Sequence, residues 1–115
     1  MLYRGGCHCG NIAIEVEGDL TMAVSCNCSI CTKKGALLWA APHGQLRVTA
    51  DMEPGRYLFH NRVIAHRFCT ACGMNPYAED TAEGGERSAY VNIRCLEAVD
   101  VKAVPVFEFD GRNAL

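Results

Sequence analysis

The chain has 115 residues, 50% hydrophobic and 21% charged, with 11 Lys and Arg against 13 Asp and Glu for a formal net charge of -2. Such a length and balance suit one globular domain, Met1–Leu115, and exclude a disordered or multi-domain chain. They give no general attraction for nucleic acid or anionic lipid, no run approaches the roughly 18 apolar residues of a spanning helix, and residues 1–10 lack the apolar core of a signal peptide. The expected location is cytoplasmic.

Short apolar or alternating runs recur at residues 11–16, 22–26, 36–41, 46–49, 56–59, 63–68, 89–93 and 104–109. Turn formers separate them, among them Glu17-Gly18-Asp19, Pro42-His43-Gly44, Glu53-Pro54-Gly55 and Glu83-Gly84-Gly85. Ile12, Ile14 and Val16 alternate with Ala13, Glu15 and Glu17, the pattern of a strand with one buried face. No window sustains a helical repeat, and only residues 29–34 are expected to make one helical turn. The predicted fold class is all-β.

Eight cysteines are the outlier of the composition. In a reducing compartment that many thiols point to metal rather than to disulfides. Seven of them cluster, as Cys7-His8-Cys9, Cys26-Asn27-Cys28-Ser29-Ile30-Cys31 and Cys69-Thr70-Ala71-Cys72, and only Cys95 stands apart. A tetrahedral zinc with Zn–S bonds of about 2.3 Å sets its sulfurs roughly 3.8 Å apart. A C-x-C pair meets that spacing only if the chain bends, which Gly5, Gly6 and Gly10 allow. A C-x-x-C followed by Gly73 is the turn of a zinc ribbon.

Seven clustered thiols cannot fill two four-thiolate sites. A consistent division joins Cys7, Cys9, Cys69 and Cys72 in a closed structural zinc and leaves Cys26, Cys28 and Cys31 as a second, three-ligand zinc, two Zn2+ per chain. Three protein ligands with a fourth position open is the pattern of a chemically active zinc. The competing reading closes the second site with Cys95 or a histidine and makes both sites inert. A thioredoxin-like redox C-x-x-C lacks its βαβ context here.

The order Gly5-Gly6-Cys7-His8-Cys9-Gly10, Cys26-Asn27-Cys28-Ser29-Ile30-Cys31-Thr32-Lys33-Lys34-Gly35 and His66-Arg67-Phe68-Cys69-Thr70-Ala71-Cys72-Gly73 resembles the glutathione-dependent formaldehyde-activating enzyme family, the CENP-V/GFA domain. The late segments Val91-Asn92-Ile93-Arg94-Cys95-Leu96 and Phe109-Asp110-Gly111-Arg112 resemble its short bacterial members. The resemblance implies a Mss4-like β-tent pinned by zinc, with the same division of ligands that counting reaches. It also implies a carbon–sulfur lyase-type activity on a small thiol–aldehyde adduct such as S-(hydroxymethyl)glutathione.

Three thiolates around a zinc dication leave a formal charge of -1, which favours activating an incoming thiol over polarising an amide. The alkoxide that develops on the aldehyde needs a proton or a donor, and His66 is the nearest candidate in sequence. A glutathione enzyme also needs cations for the carboxylates. Lys33 and Lys34 follow Cys31 closely, and Arg62, Arg67, Arg94 and Arg112 are further candidates, with Lys33, Arg67 and Arg94 put forward first. Trp39 is expected in the core or as a pocket wall, and Asn27 and Ser29 either position a bound group or satisfy turn amides. His8 reads as structural or exposed, and His43 and His60, beside turn formers, as solvated. Cys95 reads as a buried thiol or as a neighbour of the second metal. The rivals are a non-enzymatic β-tent interaction module and, against the net charge, a nucleic-acid-binding zinc ribbon.

Overall fold

The computed structural model describes residues 1–82 and 86–114. Its strands are β1 (Leu2–Gly6), β2 (Ile12–Glu17), β3 (Ala23–Cys26), β4 (Leu38–Pro42), β5 (Leu46–Ala50), β6 (Gly55–Tyr57), β7 (Ile64–Phe68), β8 (Tyr77–Asp80), β9 (Ser88–Asn92) and β10 (Val106–Phe109). Two short helices, α1 (Ser29–Lys34) and α2 (Gly111–Ala114), complete them. The all-β expectation holds, and each predicted run coincides with a strand to within two residues. The turn expected at Glu83-Gly84-Gly85 lies outside the described residues.

The strands form a small antiparallel sheet in the order β1-β2-β5 and a large one in the order β10-β3-β4-β9-β8-β7-β6, where β10 runs parallel to β3. Period-2 alternation decides what each sheet buries. Ile12, Ile14 and Val16 of β2 are at most 1% exposed, and each stabilises the fold by roughly 1.5–3 kcal/mol. They meet Trp39 and Ala41 of β4, Tyr77 of β8 and Ala89 and Val91 of β9 between the sheets. Trp39 is core, edge-on to Tyr3 with ring centroids 5.4 Å apart.

The opposite face of the large sheet carries Val24 and Cys26 of β3, Leu38 of β4, Tyr90 and Asn92 of β9, Ala78 of β8 and His66 of β7, as alternation and register require. α1 lies against β3 beside this outer face. Three differences from the sequence reading have physical causes. β1 carries Gly5 and Gly6 because its backbone is pressed against the chain near Cys95: a Cβ on Gly5 would lie 2.0 Å from the Cys95 carbonyl oxygen. β8 reads as polar because its buried Glu79 is held by ion pairs instead of apolar contacts. α2 is a second helical turn beyond the single one expected.

Candidate functional site

The seven clustered cysteines form two groups. Cys7 and Cys9 lie in the turn between β1 and β2, and Cys69 and Cys72 in the turn between β7 and β8, so one turn from each sheet supplies two thiols. Their sulfurs all lie within 4.8 Å of one another. The Cys7–Cys9 and Cys9–Cys69 separations are 3.7 and 3.6 Å, close to the roughly 3.8 Å edge of a tetrahedral Zn–S4 site. Main-chain amides aim at these sulfurs: Ile12 N–H donates to Cys7 Sγ at 3.2 Å, and the N–H groups of Ala71 and Cys72 donate to Cys69 Sγ at 3.4 Å. Gly73, at φ 79°, closes the knuckle by donating its N–H to the Cys69 carbonyl at 2.8 Å. The amides of Met74 and Cys9 bring the Cys72 thiol down to about 6. Amides that favour thiolates, at sulfur spacings that suit a soft tetrahedral ion, fit zinc.

Cys26, Cys28 and Cys31 form the second group, again with sulfurs within 4.8 Å of one another. Cys26 ends β3, Cys28 caps α1, and Cys31 lies one turn in. Burial would push the Cys28 thiol up, but the amides of Cys31 and Ile30 face it and hold it below the usual range. Burial and the neighbouring Cys28 push Cys31 up to about 12. Among the described residues no His, Cys, Asp or Glu joins this set as a fourth donor. Cys95 is half-buried and its thiol is raised by burial and by Cys7 and Cys72. It therefore neighbours the first group, not the second as one sequence reading had it.

The family model described as glutathione-dependent formaldehyde-activating enzyme matches residues 2–109. The chain belongs to that family. A Colletotrichum graminicola protein named for glutathione-dependent formaldehyde activation is 31% identical over 84 residues, which are 65% of this chain and 44% of that protein. The chain thus spans less than half of that relative's length. A crystal structure of a Rhodobacter sphaeroides protein superposes with a TM-score of 0.75 at 32% identity, over 90% of this chain and 99% of the other. Within that family, this chain's two cysteine groups have the donor chemistry of metal sites.

The surroundings of the second group rank the other candidates. α1 puts Cys31 and Lys34, three residues apart, on one side, while Lys33 points elsewhere and is exposed. The half-buried Lys34 ammonium donates to Asn75 Oδ1 at 2.7 Å, lies 3.3 Å from His66 Nδ1, and carries its charge next to Cys31 and Cys28. Burial holds the Lys34 ammonium below the usual lysine range. Burial, with Lys34 beside it, drops His66 to about 4, so its imidazole is neutral near pH 7 and accepts from Lys34. His66 stacks on Phe59 and Phe59 on Tyr57, at centroid separations of 5.6 and 5.7 Å, which forms an aromatic wall on the same side.

Other candidates are placed elsewhere. Arg67 faces away from His66 and is held by Glu79 at 2.7 Å and the Pro54 carbonyl at 3.2 Å. Arg94 is exposed on a 3-10 turn at Ile93–Cys95. Arg62, Arg112, His8 and His60 are exposed. His43 is part-buried and bonded to Glu79 at 2.8 Å, so it is structural instead of solvated. Asn27 satisfies turn groups: its amide donates to Asp110 at 2.9 Å and its oxygen accepts from the Arg112 amide at 2.9 Å, which ties the second group to the C-terminal segment. Asn75 carries no signal in the sequence, since a lone Asn before Pro76 looks like any turn former. Its side chain is satisfied on every side, donating to the carbonyls of Arg67 and Tyr77 while accepting from Lys34.

Proposed function

We propose that this chain is a zinc-dependent enzyme that binds a small thiol at Cys26, Cys28 and Cys31 and makes or breaks a carbon–sulfur bond to an aldehyde carbon, with S-(hydroxymethyl)glutathione as the model adduct. The observation that carries this reading is the inequality between the two groups: four sulfurs converge in one, and three in the other with no fourth protein donor among the described residues. Zinc held by the three thiolates would supply Lewis acidity that lowers the pKa of an incoming thiol, near ~8.5 when free, so that its proton is lost to solvent. Cys28, whose thiol the amides of Cys31 and Ile30 hold below the usual range, stands at the start of α1.

The remaining work falls to Lys34. Its ammonium has three donors, of which Asn75 and His66 accept two, and the third, without a partner among the described residues, would stabilise the oxygen on which negative charge develops. His66, neutral near pH 7, orients Lys34 and does not itself supply the proton. The role first assigned to His66 therefore passes to Lys34. Tyr57 and Phe59 offer an apolar wall for the body of the thiol. Lys33, which points away from Cys31, and Arg94, exposed on its own turn, take no part in this reading, and Arg67 is already engaged by Glu79.

Isothermal titration of the zinc-loaded protein with glutathione tests the proposal. Saturable heat in the wild type, weakened on the order of 100-fold in Cys28→Ser, supports an open thiol site. No heat from either protein retires the glutathione reading and leaves the β-tent interaction module. That module is the second reading because the closed four-sulfur group by itself suffices to join the two sheets.

A further inference from the structure

A second site lies on the inner face of the large sheet, across β7 from His66. A cleft of about 550 Å³ has among its lining residues Arg56 of β6, Arg67 of β7 and Arg87, together with Glu53, Glu79 and Asp80. That volume falls in the ordinary range of small-molecule sites. The register puts Arg56 of β6 directly opposite Arg67 of β7. Two like charges facing each other across antiparallel strands destabilise the pair unless a counter-charge sits between or beside them.

Glu79 answers that charge only in part. Its Oε2 accepts from Arg67 Nε at 2.7 Å, and its Oε1 accepts from His43 Nε2 at 2.8 Å and from Arg87 Nη2 at 3.2 Å. Burial pushes the Glu79 carboxyl up, and Arg67 and His43 outweigh it and hold the carboxyl below its usual range. Both oxygens are occupied. Among the described residues, Arg67 uses two of its five N–H donors, one to Glu79 and one to Pro54, and Arg87 uses two, to the Asp80 carbonyl and to Glu79. The Asp80 carboxylate serves the other face, where it accepts from the Ser88 amide and the Tyr90 hydroxyl at 2.9 Å. Glu53 is exposed at the rim. Among the described residues the cleft thus presents three guanidinium groups beside Glu53, Glu79 and Asp80, and of those carboxylates only Glu53 is left without a hydrogen-bond donor.

We propose that this arginine-lined cleft binds a small oxyanion, a carboxylate or a phosphate, between Arg56, Arg67 and Arg87. Guanidinium forks recognise both chemistries in the same two-pronged geometry. The site is separate from the thiol site, and its occupancy is independent of whether Cys26, Cys28 and Cys31 do chemistry. A bound anion would screen the Arg56–Arg67 repulsion and so stabilise β6 against β7.

The experiment is proton–nitrogen NMR of the arginine Nε–H groups in the zinc-loaded protein, titrated separately with succinate and with inorganic phosphate, with sodium chloride at matched ionic strength as the control. The proposal predicts saturable shifts of the Arg67 and Arg87 signals. It also predicts that Arg56→Gln, whose exposed side chain leaves the fold intact, weakens binding at least fivefold, as does Arg87→Lys, which keeps the charge and loses the fork. Saturation by one probe alone assigns the source to that chemistry, and saturation by both supports a general oxyanion site. Shifts that do not saturate, that chloride reproduces, or that persist undiminished in Arg56→Gln overturn the proposal.

Discussion

The two cysteine groups differ in what they join. The first brings together turns from different sheets, with Cys9 and Cys69 sixty residues apart in sequence. The second lies within one stretch between β3 and α1, and a local bend suffices to assemble it. Closing a long loop constrains the unfolded chain far more than closing a short one. On the proposed reading, the same donor atoms serve architecture in one place and leave freedom for chemistry in the other. Amides from several segments meet the sulfurs of the first group, while the second is bordered by a lysine, an imidazole and aromatic rings, groups suited to meeting a ligand.

The sharpest way to break this contrast is to remove one thiol from each group. Cys69→Ser should abolish cooperative unfolding of the zinc-loaded protein by circular dichroism, because metal-binding energy of about 10 kcal/mol or more is folding energy in so small a core. Cys28→Ser should keep a cooperative transition and lose thiol affinity instead. Equal loss of fold from the two substitutions would erase the distinction.

Acid titration separates the surroundings of the second group from the rest of the fold. His66 is held at about 4, against 6.5 when exposed, so the folded state binds fewer protons than the unfolded one between those values. The stability it contributes is therefore complete above pH 6.5 and is lost as the pH falls toward 4, in all about 3 kcal/mol at 1.36 kcal/mol per pH unit. His66→Gln should show a flatter profile across that window in urea melts at successive pH values, and a profile as steep as the wild type would remove His66 from its buried, neutral role.

Smaller effects sharpen the picture. Lys34→Met should weaken thiol-adduct binding or turnover about tenfold, the worth of one charged hydrogen bond, whereas Lys33→Met should leave both near wild type. Kinetics on the two variants side by side would reverse the assignment if Lys33 proved the costlier loss.

How much of this was legible beforehand follows the reach of each signal. Thiol spacing is a local code, so the membership of both groups could be read from short motifs and counting, and strands with one apolar face announced themselves by alternation. Features that need a partner from far along the chain were hidden. Glu79 makes β8 a buried strand only because Arg67, Arg87 and His43 converge on it, and nothing in Tyr77-Ala78-Glu79-Asp80 signals that company. Arg67 read as a free cation for the same reason. The preference for Lys33 over Lys34 overlooked a rule that was available: once residues 29–34 are granted a helical turn, i and i+3 share a side and i+2 does not.

Cadmium-113 NMR of protein loaded with that ion in place of zinc tests the central inequality most directly. The account predicts two cadmium signals, one indifferent to added glutathione and the other displaced by it toward the position of the first as a fourth sulfur arrives. Two signals that both ignore glutathione, or a single signal for the whole chain, would contradict it.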